Sequence, residues 1–268
     1  MILTNLHTHT TFSDGKNTIE EVVNKAIKLN FESIGISDHA ECGYDIGCPE
    51  LMLNNQISYY NIIDDLNNKY QNINIYKGLE LDSLNWEYKG KPDYTIGSVH
   101  NFLINNKVYT LDWKIEYLKE LLDICHGERN FIIKYYQELI NFAKASNYDI
   151  TGHLDLYTKF NEKEKLFNIE EKWYLETIKD VINELNKLDK IIEINTGAIG
   201  RGYRTTPYPD IPIIKILKEL NSKVIVGSDS HSIETLNCYF YEIENILKSI
   251  GIKEIYKFSK KEFIPIKL

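Results

Sequence analysis

Cysteine is scarce in this chain: Cys42, Cys48, Cys125 and Cys238 are the only four among 268 residues, and no two form a CxxC pair. A disulfide framework has no basis in that spacing, and free thiols in a reducing compartment are the expectation. No apolar run approaches membrane-spanning length. The opening residues, Met1 to His7, also lack the basic stretch followed by a sustained apolar segment that marks a secretory signal. These absences predict a cytoplasmic protein without membrane contact. Clusters of Lys and Arg are missing too, and the formal net charge is −8, so a polymeric nucleic-acid backbone would be repelled. A small anionic substrate is still compatible, because bound cations invert the field locally. With no linker, low-complexity stretch or internal repeat, residues 1–268 are expected to form one domain.

The composition itself is that of an ordinary globular protein, 43% hydrophobic and 26% charged, which is enough to bury a core and too apolar for wholesale disorder. Short β-like apolar runs occur at residues 2–6, 33–37, 73–79, 94–98, 148–152, 191–195 and 223–227. Between most of them the spacing turns helical. The clearest case is 18–30, where positions 19, 22, 23, 26, 27 and 29 are apolar and Thr18 with Glu21 makes a capping box. Further helices are predicted at 51–70, 113–124, 128–146, 170–188, 211–221 and 233–249. Alternating strands and helices favour a parallel sheet with helices outside, and seven units favour an α/β barrel over an open doubly wound sheet. An extended loop over 40–57 and two helices within 101–147 are expected around the barrel mouth.

Six of the seven histidines directly follow a predicted strand: His7, His9, His39, His100, His153 and His231. His126 alone does not, and it is read as structural. Strand ends of a parallel barrel converge, so ligands spread over more than two hundred residues can meet in one mouth. Carboxylates keep the same company: Asp14 in Ser13-Asp14-Gly15, Asp38 beside His39, Glu80 in Gly78-Leu79-Glu80-Leu81-Asp82, and Asp229 in Gly227-Ser228-Asp229-Ser230-His231. His7 and His9, two apart in an extended segment, share a face and can grip one cation. Taken singly, Asp14 is a turn residue and His100 or His153 a core histidine. Their common placement decides otherwise. Nine candidate ligands (His7, His9, Asp14, His39, Glu80, His100, His153, Asp229, His231) exceed one tetrahedral cation and call for two or three divalent ions, with zinc, manganese and iron all suited to mixed imidazole and carboxylate ligation. Glu80 is the natural bridge between ions, and Asp38 is either an orienting partner for its neighbour His39 or a structural carboxylate. Asp82 is read as a solvated neighbour, and Cys42 and Cys48 as lying near the site without ligating.

Together these blocks resemble the polymerase and histidinol phosphatase (PHP) superfamily, over nearly the whole chain from His7 to His231. The resemblance implies a distorted seven-stranded (β/α)7 TIM-like barrel with a trinuclear site at its mouth. By motif, His7, His9, Glu80 and Asp229 would hold one metal, Glu80, His100 and His153 a second, and Asp14, His39 and His231 a third. The stretches Ser37-Asp38-His39-Ala40 and Gly152-His153-Leu154-Asp155-Leu156 look most like the histidinol-phosphate phosphatase branch. That branch implies hydrolysis of L-histidinol phosphate, a small phosphate monoester, in histidine biosynthesis. Arg201 and Arg204, after the sixth strand, are the expected phosphate contacts; Lys159 stands where relatives often show arginine.

The expected chemistry is attack by a metal-bridging hydroxide held through Glu80, with Asp229 or His39 moving the proton. One rival is a PHP phosphoesterase acting on nucleotides or short oligonucleotides. Another is a metal-stabilised binding module without turnover. Recognition of the imidazole and amine would fall to the mouth loops 40–57 or 101–112, and no sequence feature specifies an oligomeric state.

Overall fold

The computed structural model describes residues 1–268. Its strands are β1 (Thr4–Asn5), β2 (Ser33–Ile36), β3 (Asn74–Asp82), β4 (Tyr94–Ser98), β5 (Asn101–Ile104), β6 (Lys107–Thr110), β7 (Ile150–Thr151), β8 (Ile191–Asn195), β9 (Val224–Gly227), β10 (Glu254–Ser259) and β11 (Glu262–Lys267). Seven of them form a parallel sheet in the order β1-β2-β3-β4-β7-β8-β9. Just past β1 and β9 the chain bridges again, Thr8 to Ser230, with the His9 amide donating to the Ser230 carbonyl at 2.9 Å. That contact nearly closes the sheet into a barrel, as the count of seven strands predicts. Every residue of β2, β4, β8 and β9 is buried, as parallel strands with both faces covered require.

Inside the barrel, Leu6, Tyr94, Ile96, Ile150, Ile191 and Ile225 form an apolar cluster with Phe258, which comes from the β10–β11 hairpin. Tyr94 is the largest of these, and its hydroxyl donates to the Leu6 carbonyl. Room for its ring exists because Gly35 and Gly78 carry no side chain; a Cβ at either would collide with the phenol. Strand alternation then lifts the same inward face from apolar to polar. Along β4 it runs Tyr94, Ile96, Ser98, and along β8 it runs Ile191, Glu193, Asn195. The mouth is therefore polar and its floor is greasy.

Helices cover the outside. The first, Ile19–Lys28, has the expected capping box, with the Glu21 amide donating to Thr18 Oγ1 at 3.3 Å and the Thr18 amide to Glu21 Oε2 at 2.8 Å. Several boundaries differ from the sequence reading. The helix expected at 51–70 begins at Gln56, and the one expected at 233–249 splits into a single 3-10 turn, Ile233–Thr235, and a helix Phe240–Ile250. The interval 101–147 holds the β5–β6 hairpin as well as two helices, Ile115–Ile124 and Glu128–Ala145. The hairpin β10–β11 was not foreseen at all. No helix is long and apolar enough to cross a membrane.

Candidate metal centre

All nine candidate ligands lie at the end of the barrel where the parallel strands finish. Four sets of them hold ligand atoms within 4.8 Å of one another: His9, Asp14, His39 and His231; His7, His153 and Asp229; His7, His9 and Glu80; and His39, Glu80 and His100. Glu80 sits at the centre. Its Oε2 is 3.2 Å from His7 Nε2, 3.4 Å from His9 Nε2 and 3.0 Å from His39 Nδ1, while Oε1 is 3.1 Å from His153 Nε2 and 3.3 Å from His100 Nε2. Asp229 Oδ1 approaches His9 Nε2 at 3.2 Å, and Asp14 Oδ2 approaches His231 Nε2 at 3.1 Å.

These distances are short, yet of these pairs only His153 Nε2 and Glu80 Oε1 are aligned as a hydrogen bond. His7 Nε2, both ring nitrogens of His9 and Glu80 Oε2 are buried with no hydrogen-bond partner. Buried polar atoms left this way are costly, and a set of them aimed at one space fits divalent cations. The outward nitrogens support the same reading. His7 Nδ1 lies 2.7 Å from Glu193 Oε1, His100 Nδ1 3.3 Å from Asp82 Oδ2, and His231 Nδ1 3.0 Å from the Asp229 carbonyl, so each ring turns Nε2 toward the cluster. His126 lies between two helices and belongs to none of these sets, as expected.

Glu193 is the residue that sequence reasoning missed. Besides holding His7, its Oε2 accepts from the His153 amide at 3.1 Å and from Asn195 Nδ2 at 2.9 Å. Gly227 on the adjacent strand leaves the space it needs, since a Cβ there would run into Glu193 Oε1. Asp82 is a correction. It is buried rather than solvated and accepts from the His100 amide at 3.1 Å and Asn101 Nδ2 at 3.1 Å, because β3 continues through it and turns it inward two residues after Glu80. Asp38 braces the loop that carries Asp14. It takes hydrogen bonds from the Thr10 amide, Thr10 Oγ1 and Ser13 Oγ at 2.7, 2.7 and 2.6 Å.

Burial disfavours charge on all of these groups, and neighbours decide the outcome. Against that burial, Glu193, Glu80 and Asp229 hold the His7 pKa well above its ordinary value, and Glu80 and Asp14 raise His39 from 6.5 to about 9. His9 goes the other way, driven to about 3 by burial and by the neighbouring imidazoles of His231 and His39. Arg201, and then His7, keep the Asp229 carboxyl well below the carboxylate range despite its burial. Asp229 also sits at φ 45°, a left-handed conformation uncommon for a residue with a side chain.

Above the cluster opens a cavity of about 360 Å³, a size suited to a small molecule. Arg201 lines it, with Nη2 3.0 Å from Asp229 Oδ2 and Nη1 donating to the Asp229 carbonyl at 2.8 Å. Lys159 lines it too and donates to the carbonyl of Asp112 at 2.6 Å and to Asp112 Oδ2 at 3.1 Å. Arg204 does not. It is buried away from this cavity, 2.8 Å from Asp210 Oδ2 and 3.9 Å from Asp155 Oδ2, so its fork is consumed by an internal ion pair rather than offered to a substrate. Loops 40–57 and 101–112 reach the cavity as expected. Cys48 Sγ comes to 3.7 Å from Asp14 Oδ2, Cys42 turns to the Tyr44 carbonyl, and neither belongs to a ligand set.

A nearly closed parallel barrel with imidazoles and carboxylates gathered at its mouth defines a metal-binding α/β barrel of the kind that supports hydrolysis. The family model described as PHP domain matches residues 5–197, a span that holds every candidate ligand except Asp229 and His231. The chain belongs to the PHP domain family. Among its relatives, a protein of Schizosaccharomyces pombe named "probable histidinol-phosphatase" is 26% identical over 266 residues, covering 90% of this chain and 84% of that one. One of the same name from Thermotoga maritima is 24% identical over 271 residues and covers 98% of both. A solved histidinol phosphate phosphatase from Lactococcus lactis, complexed with zinc, L-histidinol and phosphate, superposes with a TM-score of 0.69 at 21% identity, over 98% of this chain and 99% of that one.

Proposed function

We propose that residues 1–268 form one cytoplasmic domain that hydrolyses L-histidinol phosphate to L-histidinol and phosphate in histidine biosynthesis. The observation that carries this reading is the convergence of six histidines and three carboxylates in one cluster, of which four histidines and all three carboxylates line a cavity of small-molecule size. The names of the relatives, and the zinc, L-histidinol and phosphate in the Lactococcus lactis structure, support the same substrate. Zinc, manganese or iron suits the donors. His7, His9, Glu80 and Asp229 would hold one ion, Glu80, His100 and His153 a second, and Asp14, His39 and His231 a third.

Divalent ions so held would lower the pKa of bound water to about 7 and would offset phosphoryl charge. The chain's own residues supply the rest. Asp229, kept ionised by Arg201, accepts a proton at a carboxylate oxygen rather than donating one. Glu193 and Asp82 fix which nitrogen His7 and His100 present. Arg201 and Lys159 give the cavity wall two positive groups for the phosphate, while Arg204 stabilises the fold. Nothing on this wall resembles the long basic groove an oligonucleotide requires.

The test combines elemental analysis with phosphate release from L-histidinol phosphate under metal-replete conditions, in the native protein and in Asp229→Asn and His153→Ala. Activity should fall by about 100-fold or more in each variant. Full activity in either one removes the proposed site. A preference of about tenfold for a nucleotide 3′-phosphate would instead favour the nucleotide reading.

A further inference from the structure

Six carboxylates line the mouth cavity: Asp14, Glu50, Glu80, Asp82, Asp112 and Asp229. Five of them face a cationic or histidine partner within 4.0 Å. Asp14 faces His231 and His39, Glu80 faces four histidines besides His9, Asp82 faces His100, Asp112 faces Lys159, and Asp229 faces Arg201. Glu50 is the exception. Its single hydrogen bond comes from the Cys42 amide to Oε1 at 2.9 Å, which fastens the loop on which it stands and leaves Oε2 free. The side chain is half-buried, and burial raises its carboxyl above the ordinary range, so an arriving cation would gain a carboxylate that has none.

Its surroundings suit the organic half of a small ester. Ile46 and Trp113 also line the cavity, and Trp113 packs against Gly47 on the Glu50 loop. The two positive wall groups, Arg201 and Lys159, belong to other segments: Arg201 follows β8 and pairs with the metal-centre carboxylate Asp229, and Lys159 pairs with Asp112. The cavity is thus divided by charge, with the cations Arg201 and Lys159 on one part of its wall and one acid without an ion-pair partner on the loop after β2. We infer that Glu50 is the specificity-determining residue of this cavity, receiving the cationic amine of the alcohol portion of the substrate and so selecting amino-alcohol phosphates over uncharged monoesters. The inference deepens the phosphatase reading proposed above and rests on it for the identity of the ester.

Glu50→Gln is the informative substitution, because its amide oxygen can still accept from Cys42 and a melting curve verifies that the loop and fold persist. Two measurements are made on metal-loaded protein. In the first, kcat/KM is compared for L-histidinol phosphate and for 4-nitrophenyl phosphate, whose alcohol is uncharged. The variant should lose about tenfold or more on the amine-bearing ester, mainly through KM, and stay within about twofold on the other. Binding of L-histidinol itself is then followed by calorimetry, where the variant should bind about tenfold more weakly and Glu50→Asp should recover part of the loss. An equal loss on both esters, no loss on either, or L-histidinol binding indifferent to Glu50→Gln overturns the inference. If the native protein releases no phosphate but binds L-histidinol in a Glu50-dependent manner, the phosphatase reading falls and the amine site stands.

Discussion

Glu193→Gln probes whether the metal centre depends on a carboxylate that stands outside every ligand set. The substitution conserves shape, but the site has no place for an amide. If the new NH₂ replaces Oε2, it faces the His153 amide and Asn195 Nδ2, two groups that in the native protein donate to that oxygen. If it replaces Oε1, it faces His7 Nδ1, which must then become the acceptor, moving the ring proton to Nε2, the nitrogen aimed at Glu80 and Asp229. Asn195 cannot rotate freely to help, because its Oδ1 already accepts from the Gly197 amide at 2.8 Å. The first arrangement leaves buried donors unpaired and costs about 1–3 kcal/mol of stability. The second removes a ligand and costs about 10–100-fold in metal affinity, or about 1.4–2.7 kcal/mol. Competitive titration against a chelator, with melting curves of the metal-free chain, reads both quantities. Metal affinity within about twofold of the native protein, together with unchanged metal-free stability, would refute the assignment of Glu193 as the group that orients His7.

Other consequences follow from the same geometry. Phe258→Ala removes the hairpin ring that plugs the barrel floor and should destabilise the protein by about 3–5 kcal/mol in denaturant melts, with metal content per folded molecule unchanged. Arg204→Ala strands Asp155 and Asp210 without their cation and should cost about 3–5 kcal/mol; a large rise in KM with intact stability would return Arg204 to the substrate site. Metal-free and metal-loaded protein should respond to pH in opposite directions. Because His39 is raised from 6.5 to about 9 by Glu80 and Asp14, the stability it contributes without metal is complete below pH 6.5 and lost as pH rises through 9, at most about 3 kcal/mol. Metals compete with those same protons, so the loaded form should gain stability over that window. Parallel melting curves at the two pH values would contradict this if both forms shifted alike.

Much of this protein was legible before its structure. Periodicity located all seven barrel strands, and the placement of six histidines after them located the mouth. These signals are local, since strand alternation and apolar runs are written in consecutive residues. What escaped the sequence reading escaped for physical reasons. The hairpins turn on Asn105-Asn106 and Lys260-Lys261, all at positive φ, and lysines do not advertise such a turn as Asn-Gly would. Arg204 looked like a phosphate ligand because its charge was visible and its buried partners were not.

Sequence alone determined which residues could ligate and which strand each would follow, because side-chain chemistry and strand period are properties of short segments. Only the tertiary structure decided which carboxylates orient and which remain free. Glu193 lies 186 positions from the histidine it holds, and Glu50 is singled out solely by the cations that every other wall acid has and it lacks. Such pairings arise when barrel closure brings distant strand ends within a few ångströms, where charge and hydrogen bonding first become mutual.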